Sequence, residues 1–299
     1  MKLISFLSPA GAPGATGAPR PGLVEGDEVV DLSDPSIGLP ADMAALLALG
    51  PDGLERVRQA SHRGPRYALD SVRRHAPVPQ PPAILAIGMN YHAHVAEMGR
   101  EAPEYQYWFN KQRTAIAGPG DPILLPTVSS QVDYEGELAM VIGPRCQHVP
   151  AARAMEVVAG FTIINDVSAR DWQWRTPTFT LGKSFDSHAP CGPWLVTTDE
   201  LGDPGRLSLR TWVNDELRQD STTADLIFDC AAQIEYLSTA FPLEPGTVIA
   251  TGTPAGVGAG FDPPRFLRPG DVVRIEIEGI GELVNPVQQG PEPIPIGLP

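Results

Sequence analysis

Residues 132–143 read VDYEGELAMVIG, and the fold class turns on how this stretch is read. Its second half is the apolar stock of a buried β-strand. Its first half sets Asp133, Glu135 and Glu137 at alternate positions. Side chains of a strand alternate between faces, so one continuous strand points all three acids to one side, followed there by Ala139 and Val141. Like charges this close repel, and burying them unpaired is costly. Taken alone, the pattern fits a strand end in water equally well. If the face is buried, it calls for positive charge.

Further strands surround this one. ILAIG (84–88), ILLP (123–126), FTIIND (161–166), PWLVTT (193–198), LSLRTWVN (207–214), TVIATG (247–252) and DVVRIEIEGIGELV (271–284) all read as strands. One helix interrupts them: Thr222 and Asp225 stand at capping-box spacing, and Ile227, Ala231, Ile234 and Leu237 recur at helical period up to Phe241. Many strands, one main helix and turn-rich joints predict a β-rich α+β domain, a roll or barrel. Ahead of it, MKLISF is a strand and GLVEGDEVVDLS a hairpin around Gly26-Asp27, while ADMAALLALG and PDGLERVRQA are short helices. The proline-dense HAPVPQPPA (75–83) is a stiff linker. The chain is therefore divided into a small N-terminal α+β domain, 1–78, and a larger domain, 79–299. GAPGATGAPRPG (11–22) is expected as a loop and PEPIPIGLP (291–299) as an extended tail.

With 42% hydrophobic and 19% charged residues, the 299-residue chain has an ordinary globular composition. A formal charge of −14 argues against nucleic acid and anionic membrane as partners. Cys146, Cys191 and Cys230 are widely spaced and odd in number, without a zinc-type pattern, which points to a reducing cytoplasm. No stretch approaches the ~18 apolar residues of a membrane span.

Four segments carry chemistry. In FTIINDVSARDW, Asp166 stands at the exit of an apolar strand, and Ser168 and Asp171 sit at capping-box spacing that predicts a helical turn. Glu135, Glu137 and Asp166 together offer three hard oxygen ligands, suited to Mg²⁺, with Mn²⁺ or Ca²⁺ as alternatives. In IGMNYHAHVAEMG, His94 and Glu97 share a helical face, and a carboxylate on one imidazole nitrogen makes the other a better base. A solvent-facing pair, or His92 with His94 as metal ligands, are the alternatives; His-x-His suits a strand better than a helix. In LGKSFDSHAPCGPW, Lys183 either faces a negative substrate group or is a surface-loop lysine. TVIATGTPAGVGAG runs from a strand into a glycine-rich loop that matches neither phosphate nor dinucleotide spacing, yet can offer backbone N–H groups, as at Gly252, and the Thr253 hydroxyl.

NYxxHxxEMG, DYEGELAMVIG, NDVSARDWQ, GKSFDSHAPCGPW and TGTPAGVG occur in that order, and together they resemble the fumarylacetoacetate hydrolase superfamily over roughly residues 80–287. The resemblance implies a mixed β-sandwich roll with one divalent cation, usually in a homodimer. It implies Glu135, Glu137 and Asp166 as metal ligands and His94 with Glu97 as a catalytic dyad on a lid-forming segment. Lys183 and Thr253 would contact substrate, with Arg170, Gln173 and Lys111 as further contacts. The implied chemistry is hydrolysis of a C–C bond in an acylpyruvate or related 1,3-dicarbonyl or 2-oxoacid, with His94 activating water. The same enolate serves an oxaloacetate-type decarboxylase, or an isomerase or hydratase of 2-hydroxy-dienoates; a non-catalytic 2-oxoacid-binding protein is the reading from another class.

Overall fold

The computed structural model describes residues 1–8 and 17–292. Part of the expected glycine–proline loop and all but the first two residues of PEPIPIGLP lie outside them. The chain forms a β-rich α+β fold in which one large mixed sheet is covered on both faces. Its central strands are Gly136–Ile142 and Val158–Asn165, antiparallel in the register Gly136↔Asn165 and Glu137↔Ile164. On one side Val248–Ala250 joins Gly136–Ile142 antiparallel and Ile84–Gly88 parallel. On the other, Ala189–Thr197 joins Val158–Asn165. Both faces being covered explains the continuous apolar run LAMVI. Leu138, Met140 and Ile142 enter one core, while Ala139 and Val141 enter the other.

The first core is closed by a second, five-stranded sheet. Leu209 from Ser208–Val213, Ile275 from Val272–Ile277 and Leu283 from Gly281–Gln289 pack there, with Ile234 and Leu237 of the helix Cys230–Ala240. The second core is closed by the helices Met43–Leu47 and Gly50–Ala60, through Leu46, Leu47 and Val57. The expected first strand is Lys2–Leu7, and the hairpin joins Arg20–Glu25 to Glu28–Asp31 around Gly26-Asp27. Residues 1–78 do not keep a sheet of their own: Lys2 and Leu3 pair with Val196 and Leu195 across the boundary drawn in the sequence.

Three local expectations are corrected. VDYEGELAMVIG is not one strand, because Val132–Asp133 pairs with Ser168–Ala169 in a separate small sheet and the long strand starts at Gly136. Ser168 therefore lies in a strand instead of capping a helix, and the helical turn Arg170–Gln173 has no side-chain cap. Thr222 caps only the short turn Thr223–Asp225; the main helix starts later, its cap being Asp229, whose carboxylate accepts the Ala232 N–H at 2.8 Å.

Candidate active site

Four chain segments leave the large sheet at one end. Gly136–Ile142 begins there and Val158–Asn165 ends there, which places Glu137 beside Asp166. Val248–Ala250, in register at Ala139↔Ala250, runs out into Thr251–Thr253. Its parallel neighbour Ile84–Gly88 leads through Met89–Tyr91 into the helix His92–Glu97. Asn90 locks this exit: its amide donates to Thr251 O at 2.7 Å and Phe228 O at 3.0 Å, and its oxygen accepts the Phe228 N–H at 2.8 Å.

Glu135, Glu137 and Asp166 converge at this end, all buried, with one carboxylate oxygen of each within 4.8 Å of the others. Lys183 Nζ lies 2.7 Å from Glu135 Oε2 and 2.8 Å from Asp166 Oδ2. Arg170 Nη1 is 2.6 Å from Glu135 Oε1, and Lys111 Nζ is 2.5 Å from Asp166 Oδ1. Burial would raise Glu135, but the Lys183 and Arg170 charges outweigh it and hold the carboxyl down to about 2. Among the described residues, Glu137 accepts a hydrogen bond only from the Gly252 N–H, at 2.7 Å. Burial, then Asp166 and Glu135, push Glu137 well above the usual carboxylate range. Four buried carboxylates, counting Asp133, face three buried cations. The remaining negative charge sits where three oxygens converge, and that is the environment a hard divalent cation needs. The residues therefore fit a divalent metal.

Beside the carboxylates, His94 Nδ1 lies 3.1 Å from Glu97 Oε2. The other oxygen of Glu97 accepts the Gly256 N–H at 2.9 Å. The imidazole is buried, so the pair is not the surface contact that its spacing equally allowed. His94, Glu135, Glu137, Arg170, Lys183 and Thr253 line one cavity of about 40 Å³. An adjoining cavity of about 430 Å³ also touches His94 and Arg170, and Met98, Arg100 and Trp174 line both. A groove of about 510 Å³ near Met1, Lys2 and Trp194 gathers no comparable chemistry.

Of the expected substrate contacts, Arg170, Gln173, Lys183 and Thr253 line the inner cavity. The Thr253 hydroxyl donates to Gly136 O at 3.1 Å and accepts from Gln219 Nε2 at 2.8 Å. Two expectations change. Lys111 is fully enclosed, donating to Asp166 and at 3.1 Å to Val167 O, so it supports a carboxylate instead of facing substrate. The Gly252 N–H is likewise committed to Glu137. Phe109 was not singled out, yet it lines the cavity with the Lys183 ammonium 4.9 Å from its ring centre. Its signal was the alternation of Phe109 and Lys111 in YWFNK, which forms the strand Tyr107–Lys111. The Gly256 contact to Glu97 spans 159 residues and left no local signal.

The family model for the fumarylacetoacetate (FAA) hydrolase C-terminal domain matches residues 83–288. A mitochondrial oxaloacetate tautomerase of Xenopus laevis is 40% identical over 292 residues, covering 96% of this chain and 90% of that protein. An oxaloacetate tautomerase of Bacillus subtilis is 47% identical over 225 residues, covering 74% and 75% respectively. Among solved structures, maleylpyruvate hydrolase from Sphingobium sp. SYK-6, in complex with manganese(II) and pyruvate, superposes with a TM-score of 0.80 at 33% identity, covering 97% of this chain and 100% of that one. Matched motifs, shared fold and convergent acids agree, and the chain belongs to the fumarylacetoacetate hydrolase family of enzymes.

Proposed function

We propose that the protein is a divalent-metal-dependent enzyme acting on a small 2-oxoacid through its enolate, with keto–enol interconversion of oxaloacetate as the leading reaction. The observation that carries this reading is the convergence of Glu135, Glu137 and Asp166, short of neutralising charge, in a cavity lined by His94. Similarity to two oxaloacetate tautomerases supports the choice of substrate. When bound by the three carboxylates, the cation supplies Lewis-acid stabilisation of developing negative charge; Mg²⁺ is the ion we assign.

The chain's own groups do the rest. Glu97 accepts from Nδ1 and so leaves Nε2 of His94 free to take up and return a proton. The Gly256 N–H holds Glu97 in place for that task. Lys183 sets the Glu135 and Asp166 carboxylates, and its ammonium faces the cavity as an electrostatic partner for an anionic substrate. Gln173 Oε1 accepts from Arg170 at 3.0 Å and keeps the guanidinium aligned on Glu135.

Hydrolysis of an acylpyruvate is the second reading, favoured by the His94–Glu97 pair, which can equally activate water, and by likeness to a maleylpyruvate hydrolase. A homodimer in the cytoplasm completes the proposal. The test is a panel of oxaloacetate, short acylpyruvates and fumarylpyruvate with Mg²⁺, following tautomer absorbance and released pyruvate. Accelerated tautomerisation without pyruvate supports the first reading, and pyruvate from an acylpyruvate supports the second. His94→Ala should lower the rate about 10²–10⁴-fold while metal binding persists. No turnover on any member of the panel would reject both readings.

A further inference from the structure

Asp133, the first acid of the opening stretch, is completely buried and is no part of the three-carboxylate cluster. Its carboxylate is nevertheless saturated. Oδ1 accepts the N–H of Gly258 at 2.7 Å and of Tyr134 at 2.9 Å. Oδ2 accepts the N–H of Ala259 at 2.9 Å and Nε of Arg170 at 2.9 Å. These partners lead to both halves of the site. Through Arg170 the chain of contacts reaches Glu135. Through Gly258 and Ala259 it reaches the glycine-rich loop, whose Gly256 N–H holds Glu97.

The fit of that loop is tight. A Cβ at Gly258 would lie 2.5 Å from Asp133 Oδ1 and 2.3 Å from Arg265 O. A Cβ at Gly260 would lie 2.5 Å from Glu97 Oε1. Asp133 thus pulls the loop onto the strand at one point, and two residues on either side the same loop forms the seat of the Glu97 carboxylate. A buried carboxylate with four donors is held by charge-assisted hydrogen bonds, among the strongest available to a side chain. Removing its charge leaves those donors short of an acceptor.

We infer that Asp133 is a positioning residue: it locks loop 256–260 so that Glu97 is aimed at His94, and through Arg170 it ties that setting to Glu135. The inference rests on the proposed role of His94 and Glu97 for its kinetic consequences, but not for its structural ones. Asp133→Asn keeps the shape and puts an NH₂ where donors converge.

Hydrogen exchange on the full-length protein reads the loop without any turnover. Peptides covering 252–262 and 92–99 should exchange at least about 10-fold faster in Asp133→Asn, with those covering 136–142 unchanged. Mn²⁺ affinity by titration should fall clearly less than in Glu135→Gln, because Arg170 keeps its contacts to Glu135 and Gln173. On the substrate that wild type turns over, kcat should fall about 30- to 100-fold with KM little changed. Adding Glu97→Gln to Asp133→Asn should cost little more, since residues acting as one unit are not additive. Gly260→Ala approaches the same seat from the loop side and should lower kcat without affecting Mn²⁺; it also serves if Asp133→Asn fails to fold. Unchanged exchange in 252–262, an Mn²⁺ loss equal to that of Glu135→Gln, or full additivity with Glu97→Gln would each overturn the inference. If His94→Ala proves fully active, the catalytic reading fails while the exchange experiment still decides the role of Asp133.

Discussion

Two glutamates separated by one glycine have opposite electrostatics. Glu135 lies between Lys183 and Arg170 and stays ionised, whereas Glu137 has a single backbone N–H and two neighbouring acids. Their sequence context, YEGEL, is nearly symmetric, so the difference arises wholly from residues brought in by the fold. It predicts that Glu137→Gln melts at a higher temperature than wild type in the presence of a chelator, because an acid whose ionisation is opposed by burial and by two neighbouring acids is replaced by a neutral amide. The same change should weaken Mn²⁺ binding by more than about 100-fold, beyond what loss of a mere supporting contact produces. Thermal unfolding with and without Mn²⁺ checks both signs at once. A lower melting temperature in chelator would mean that the Gly252 contact outweighs the repulsion.

At the scale of elements, period and composition revealed where strands lie but not where they break. LAMVI and FTIIN declare themselves because both faces of the sheet are covered. The break at Tyr134-Glu135 has no local mark: it exists because Val132 and Asp133 pair with Ala169 and Ser168, more than thirty residues on. The three ligand-type acids were legible, since carboxylates on apolar strands need a reason. Lys111, Arg170 and Lys183 were placed at the site by the family resemblance, as substrate contacts; their pairing with these acids was not legible, since it arises only through tertiary structure. The helix start was misplaced for a related reason: Thr222 and Asp229 are both good caps, and tertiary packing uses each for a different turn. Asp229→Ala should therefore destabilise the protein by about 1 kcal/mol, and Thr222→Ala by less, as read from denaturant midpoints at constant m.

At the scale of the whole molecule the large sheet lies between the two main cores, and stability carries a pH signature from a residue away from the cavity. His188 is enclosed, its Nε2 donating to Leu124 O at 3.1 Å. Burial, and then the Lys111 charge, push its pKa down to about 3. The unfolded chain takes up this proton below an ordinary value near 6.5, while the native one stays neutral until about 3. Between those values the unfolded state binds more protons, so stability falls as pH falls, by up to about 1.4 kcal/mol per unit. His188→Gln should lose less stability than wild type between pH 6.5 and 5. Parallel denaturant titrations at the two pH values compare the slopes, and identical slopes would count against a neutral, buried imidazole.

The pairing of Lys2 and Leu3 with Val196 and Leu195 has a consequence for how the protein can be divided. A fragment starting after the proline linker would retain Glu135, Glu137 and Asp166 and the His94–Glu97 pair. It would also bare one border of the strand Ala189–Thr197, together with apolar residues such as Leu195 that share the second core with Leu3, Leu46 and Leu47. Unsatisfied sheet borders flanked by apolar surface invite self-association. Such a fragment is therefore expected to self-associate at that border where the whole chain does not, although the residues it lacks touch neither the three acids nor His94.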